Sequence, residues 1–138
     1  MKMTRYLLDT NVCIFLLRGK YGIDKIIDNV GLRNCYVSEI TEAELKYVAE
    51  IGRRKGLKQR NQALGELLSS LSILPISDAI DLYASEKARL RLAGTPADDD
   101  FDMLIGCTAI VNDMILVTEN VKDFTNLMNI KLENWVKR

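Results

Sequence analysis

Short, unbroken apolar runs that stop at a polar residue and give way to a helical pattern recur along this 138-residue chain. The sharpest case is Tyr6 to Arg18, YLLDTNVCIFLLR. Tyr6-Leu7-Leu8 halts at Asp9, Thr10 and Asn11 follow, and apolar residues resume from Val12 to Leu17. This predicts a short buried strand ending in Asp9, a polar turn and a helix. Asp, Thr and Asn side chains suit such a turn because they bond the free N–H groups that open a helix. Cys35-Tyr36-Val37, with Ser38 at its end, predicts a second strand. Ser72 to Ile76 (SILPI) predicts a third, with Pro75 better suited to its end than its middle. Met114-Ile115-Leu116-Val117 is the clearest buried strand and stops at Thr118-Glu119-Asn120, and Ile130 to Trp135 predicts a last, edge strand. Strands covered on both faces read as continuous apolar runs. The expected fold is therefore α/β, a three-layer α/β/α sandwich with a central, mainly parallel sheet.

Helical patterns fill the intervals. Ile23, Ile26, Ile27 and Val30 lie at helical spacing between Gly22 and Val30, and Gly31 ends that helix. Thr41 with Glu44 is a capping-box pattern opening a helix whose apolar face holds Leu45 and Val48. Gly52 to Arg60 (GRRKGLKQR) is a basic bend, and Leu57, Leu64, Leu67, Leu68 and Leu71 line the helix after it. Ser77 is placed to cap a helix carrying Ile80, Tyr83, Ala84, Lys87 and Leu90, ending near Gly94. After a Thr95-Pro96 turn, Asp98-Asp99-Asp100 precedes a helix from Phe101 to Asn112, with Leu104, Ile105, Thr108 and Ala109 inward. Phe124 closes a short helical turn. No repeat or linker appears, and the length suits a single domain over residues 1–138.

Composition removes several chemistries. With no histidine, histidine bases, histidine zinc ligands and Ser-His-Asp triads are excluded. Cys13, Cys35 and Cys107 form no CxxC and sit in apolar contexts, as expected of buried thiols in a reducing cytoplasm. Lys+Arg 19 balances Asp+Glu 19, so a wholly basic nucleic-acid binder is not indicated, although a local basic patch is compatible. The start MKMTRYLL has the basic head of a signal peptide, but Asp9 and Asn11 interrupt its apolar stretch and no small-residue cleavage site follows. No window has the length of a membrane span.

The acids carry the functional signal. Asp9 ends the first strand, Glu44 lies in the first turn of the helix after the second, Asp102 opens the helix after the acidic run, and Asn120 and Asp123 follow the Met114–Val117 strand. In right-handed parallel α/β units, strand ends and the helix starts that follow share one sheet edge. These residues are thereby expected to converge. Two like charges about 4 Å apart cost about 1 kcal/mol in water and about 4 at an effective dielectric near 20. Such a group needs a cation or a protonation shift, and an all-oxygen donor set selects Mg²⁺ or Mn²⁺. The chemistry this supports is metal-dependent hydrolysis of a phosphodiester, with nucleic acid as the natural substrate. Each acid also has a bland reading: Asp9 as a helix cap, Glu44 as the acid of its capping box, Asp102 as dipole compensation, Asp98 to Asp100 as a solvated run and Asp123 as loop surface.

LLDTN at Leu7–Asn11, ITEAELKY at Ile40–Tyr47, DFDMLIGCTAI at Asp100–Ile110 and LVTENVKDF at Leu116–Phe124 resemble the PIN-domain nucleases, and among them the VapC toxins of VapBC toxin–antitoxin pairs. The likeness runs in order along nearly the whole chain, including LENW at Leu132–Trp135. It implies a Mg²⁺- or Mn²⁺-dependent endoribonuclease acting on structured RNA such as tRNA or rRNA. A small VapB-type antitoxin is the implied partner, and homodimers are common in the family. Its acids fall on Asp9, Glu44 and Asp102, and its fourth motif on Thr118 and Asn120; Thr10 and Asn11 match the polar residues beside the first acid. Many relatives have Asp where Asn120 stands, so Asp100 or Asp123 is the candidate to supply the missing charge. Gly106-Cys107 stands where many relatives have Ala-Ala, and both being small, helix packing should survive. Arg53, Arg54, Lys55, Lys58 and Arg60 are candidates for RNA phosphates, with a solvated hairpin tip as the alternative. The competing reading of the whole is a catalytically weak or inactive PIN-like scaffold that binds RNA or protein. An aspartyl phosphatase fits less well because Asn11 replaces the second acid of DxD, and no GxGxxG follows the first strand to suggest a dinucleotide enzyme.

Overall fold

The computed structural model describes residues 3–97 and 99–138; Asp98, read above as a solvated member of the acidic run, lies outside them. Five parallel strands form one sheet: β1 (Tyr6–Leu8), β2 (Cys35–Ser38), β3 (Ser72–Leu74), β4 (Ile115–Val117) and β5 (Leu132–Glu133), in the order β3-β2-β1-β4-β5. The connecting helices are α1 (Thr10–Leu17), α2 (Ile23–Val30), α3 (Glu39–Arg54), α4 (Lys58–Ser70), α5 (Ile80–Leu92), α6 (Asp100–Val111) and α7 (Val121–Phe124). The chain builds outward from β1 to β3, then returns to place β4 on the other side of β1. That reversal between β1 and β4 is where an open α/β sheet leaves a crevice at its carboxyl ends.

Alternation along each strand separates two cores. Leu8, Cys35, Val37 and Val117 face Val12 and Cys13 of α1, Ile23 and Ile27 of α2, Leu45 of α3 and Leu64 of α4. Leu7 and Leu116 face Leu90 of α5, Met103, Ile105 and Ala109 of α6, and Phe124 of α7. Both sheet faces are thus dry and helix-covered, as a three-layer sandwich requires. Cys13, Cys35 and Cys107 are free and buried, and burial pushes the Cys35 and Cys107 thiols up to about 11. Among the described residues, no helix is long and apolar enough to cross a membrane.

Several local expectations are corrected. Helix α3 starts before Thr41: Ser38, at the end of β2, is its cap and accepts the Thr41 N–H at 3.2 Å. Thr41 lies inside the helix and is fully buried, so Glu44 is not the acid of a Thr41 capping box. Ser77 opens a short 3-10 turn (Ser77–Ala79) ahead of α5 and does not cap that helix. Leu57 precedes α4 and is exposed; Leu64 and Leu71 are the buried leucines there. Strand β5 pairs with β4 only through Leu132 and Glu133. Beyond it, Trp135 and Val136 fold onto the α1 side, where Trp135 meets Tyr6 with ring centroids 5.3 Å apart.

Gly106 sets how closely α7 approaches α6. A Cβ there would lie 2.5 Å from Leu127 Cδ1 and 3.2 Å from Phe124 Cδ1. The helix packs as expected with Gly106 in place, but alanine is not neutral at this position. Because the nearest atom is the end of the flexible Leu127 side chain and alanine gains about 1 kcal/mol over glycine inside a helix, Gly106→Ala should cost no more than about 2 kcal/mol net, read from the urea midpoint at unchanged slope.

A candidate acidic active site

Asp9 follows β1 directly and caps α1, with only 5% of its surface exposed. Its two oxygens are held separately. Oδ1 accepts the Thr10 N–H at 2.8 Å, and Oδ2 accepts the Thr118 hydroxyl at 2.9 Å. Thr118 follows β4, so this bond closes the crevice between the two strands. Thr118 Oγ1 in turn accepts the Asn120 N–H at 3.0 Å. The capping role and the site position of Asp9 are therefore the same fact. An oxygen bonded once by the backbone keeps a lone pair for another partner.

Glu44 comes from α3. The Thr10 hydroxyl donates to Glu44 Oε1 at 2.7 Å and lies 3.0 Å from the Thr41 hydroxyl. Thr10 has one proton, and the carboxylate takes it, so Thr41 donates to Thr10. The buried relay Thr41–Thr10–Glu44 ties α3 to α1 beside Asp9. Thr41 was read from sequence only as a cap; a threonine three residues before an acid on a helix's inner side is the signal that could have placed it here.

Asp102 reaches the same edge because α6 leads into β4 and so runs antiparallel to it, which returns its N-terminus to the carboxyl ends of the strands. Asp99 caps α6, accepting the Phe101 N–H at 2.8 Å and the Asp102 N–H at 3.2 Å through Oδ1. Asp102 is half-buried, and its carboxyl is pushed up to about 7, first by desolvation and then by Asp99, Asp9, Asp123 and Glu44. Burial likewise raises Asp9; its bonds from Thr118 and Thr10 oppose the rise, and Glu44 and Asp123 add to it. Asp99, Asp9, Asp123 and Glu44 thus all lie close enough to Asp102 for their charge to act on it, and Glu44 and Asp123 act on Asp9 as well. Asp99, Asp102 and Asp123 also line a cleft of about 260 Å³.

Other expected residues stand apart. Asp100 does not join the group: its Oδ1 accepts from Lys87 Nζ and the Tyr83 hydroxyl, both at 2.7 Å, because the first turn of α6 points it toward α5. Asp123, on the first turn of α7, lies three residues after neutral Asn120, and its charge acts on both Asp9 and Asp102. Asn120 and Asn11 are exposed. Asp99 was missed as a separate member; an Asp three residues before the helix acid is a helix-cap signature. The basic bend joins α3 to α4, and Arg53 and Arg54 both bond Glu50. Arg60 donates to the Val48 carbonyl, and Lys55 and Lys58 are exposed. Ten residues of helix separate Glu44 from Arg54, about 15 Å along the axis. The patch is thus not within contact distance of the acids.

The donor set is all oxygen, buried at Asp9 and half-buried at Glu44 and Asp102. It carries more negative than positive charge, with Lys122 the one basic side chain among the described residues lining the cleft. This suits a hard divalent cation. Among the described residues no three Asp, Glu or Cys side chains stand as a ready-made cage. Mg²⁺ does not demand one, since it commonly keeps waters and binds one or two carboxylates with substrate phosphate.

Residues 6–127 match the PIN domain family. The chain is 33% identical over 137 residues to Ribonuclease VapC2 of Rickettsia felis, covering 96% of this chain and 98% of that protein. It is 30% identical over 135 residues to the tRNA(fMet)-specific endonuclease VapC of Salmonella typhimurium, covering 96% and 99%. Its fold superposes with a TM-score of 0.83 on a structure of VapBC2 from Rickettsia felis bound to a DNA fragment from their promoter, at 28% identity and 96% and 99% coverage. With its parallel sheet, its acid-lined crevice and relatives aligned end to end, this chain belongs to the PIN-domain family, among the VapC-type proteins.

Proposed function

We propose that the chain is a metal-dependent endoribonuclease, the toxin of a toxin–antitoxin pair acting in the cytoplasm, and that it cuts a structured RNA, with tRNA the first candidate. The observation that carries this reading is the convergence of Asp9, Glu44, Asp99 and Asp123 on half-buried Asp102, whose carboxyl is driven up to about 7. The alignment with relatives named as a ribonuclease and a tRNA(fMet)-specific endonuclease supports the substrate class. The solved VapBC complex supports a VapB-type antitoxin as partner.

Asp9 and Asp102 are the residues to hold Mg²⁺ or Mn²⁺, with Asp123 and Asn120 beside them. Such an ion supplies Lewis acidity toward a phosphodiester oxygen and lowers the pKa of a bound water. Thr10 and Thr118 fix both oxygens of Asp9, so its orientation is set before substrate arrives. Thr10 also holds Glu44 with one oxygen bonded, leaving the other free to take a proton from an attacking water. Neutral Asn120 contributes through its backbone bond to Thr118, which keeps that hydroxyl aimed at Asp9. The reading as an inactive binding module rests on Asn120; the proximity of Asp123 to Asp9 and Asp102 supports the nuclease reading instead.

The test is cleavage of a labelled total-RNA pool by the purified chain with Mg²⁺, Mn²⁺ or EDTA. Discrete fragments that require metal are expected, and Asp9→Asn should lower the rate by about 10²-fold or more while leaving the fold intact. An equally active Asp9→Asn chain contradicts the assignment.

A second outcome concerns pH. The folded chain holds Asp102 near 7 against an ordinary value of 3.8, so folding favours the protonated form. Its stabilising contribution is fully present below about pH 4 and is lost as pH rises through about 7. In the metal-free chain, the Tm of wild type relative to Asp102→Asn should fall over that window. A difference that is flat with pH means that Asp102 is not perturbed.

A further inference from the structure

A second groove opens beside the acids, and the reaction described so far does not use it. It has a volume of about 370 Å³ and is lined by Thr10, Asn11, Ile14, Glu44, Tyr47 and Phe101, with α3 forming one wall and the start of α6 another. Tyr47 is 68% exposed and Phe101 54% exposed, unusual for large rings in a chain whose other aromatics mostly pack inward. Each sits next to an acid. Tyr47 is three residues after Glu44 and so on the same helical face, about 5–6 Å away between Cβ atoms. Phe101 immediately precedes Asp102. Neither ring stacks on another aromatic among the described residues.

We infer that this groove seats an unstacked nucleobase of the RNA, held against the Tyr47 and Phe101 rings while the adjoining phosphate lies at the acids. The inference rests on the ribonuclease reading of the same edge. The charge in the groove selects the occupant. Glu44 repels a phosphate there, whereas a neutral base presents a flat apolar face that aromatic rings bind. Thr10 and Glu44 belong to both the groove and the acid group, so a base seated here is continuous with a backbone at the acids. Asn11, exposed at the groove, has an amide with donors and an acceptor suited to a base edge, which makes it a specificity-determining residue. Stacking also supplies RNA affinity where a net charge of zero does not.

The experiment uses the full chain and its Asp9→Asn form, which keeps RNA uncleaved. The probe is a single-stranded RNA oligonucleotide series with 2-aminopurine at successive positions. Stacking should quench 2-aminopurine at one position. Tyr47→Ala and Phe101→Ala should each weaken binding about 5- to 100-fold and raise KM more than they lower kcat. Tyr47→Phe, which keeps the ring, should retain the quench. Unchanged thermal unfolding of these surface variants verifies their fold. If wild type cleaves with metal and the alanine variants keep wild-type affinity and KM, the seat is overturned and the nuclease stands. If ring-dependent quenching occurs without cleavage, the seat stands and the ribonuclease reading fails. If the alanine variants change self-association in sedimentation but not RNA binding, the groove is a contact between copies and the seat is overturned. If wild type binds none of the oligonucleotides but cleaves the total-RNA pool with metal, the seat is overturned and the nuclease stands; if it does neither, both are overturned.

Discussion

The bond from the Thr118 hydroxyl to Asp9 Oδ2 spans the reversal between β1 and β4, and the working edge of the molecule depends on it. It is fully shielded on the threonine side and nearly so on the aspartate side. A buried carboxylate is costly unless its oxygens are bonded. Here the two donors are a backbone N–H at the start of α1 and a hydroxyl at the end of β4. Satisfying one desolvated acid therefore fixes two strands and a helix start against each other. Thr10 extends the tie to Glu44 and Thr41 of α3, so a single polar seam joins β1, β4, α1 and α3 at the carboxyl end of the sheet.

The seam solves the hydrogen-bonding of Asp9 but not its electrostatics. Asp102 meets the fields of Asp99, Asp9, Asp123 and Glu44 with no basic side chain among the causes of its shift. The contrast with Asp100 is instructive. One residue back from Phe101, it is exposed, bonded to Lys87 and Tyr83, and held below the usual carboxylate range. Two acids a turn-fraction apart on one helix thus have opposite environments, and only the unpaired one faces the crevice. Packing at Gly106 contributes by letting α7, with Asp123, lie close against α6.

Much of this was legible in the residues. Apolar runs halted by polar residues gave the parallel sheet, because strands covered on both faces need no alternation. The same halts marked Asp9 and Thr118, since a strand end followed by a helix start is a topological address as much as a local turn. What escaped was side-chain direction. Thr41 reads as a helix cap until the backbone of β2 makes Ser38 the cap and turns Thr41 inward toward Thr10. Asp99 and Asp100 are equivalent as letters in an acidic run, yet one caps α6 and the other reaches back to α5. A linear pattern does not carry the rotation of a helix about its axis, which is what separates them. The exposed rings of Tyr47 and Phe101 escaped for the same reason, each sitting at a helical position that sequence alone reads as ordinary surface or core.

The central claim is that the fold gathers more carboxylates than cations at this edge, with Lys122 the one basic side chain among the described residues lining the cleft, and leaves the remaining deficit for a hard cation. Side-chain carboxyl NMR of Asp102, titrated in the metal-free chain and again with saturating Mg²⁺, tests it most directly. A midpoint near 7 that falls by more than one unit when Mg²⁺ is added is the expected result. A midpoint near the ordinary 3.8 that ignores Mg²⁺ would contradict the account.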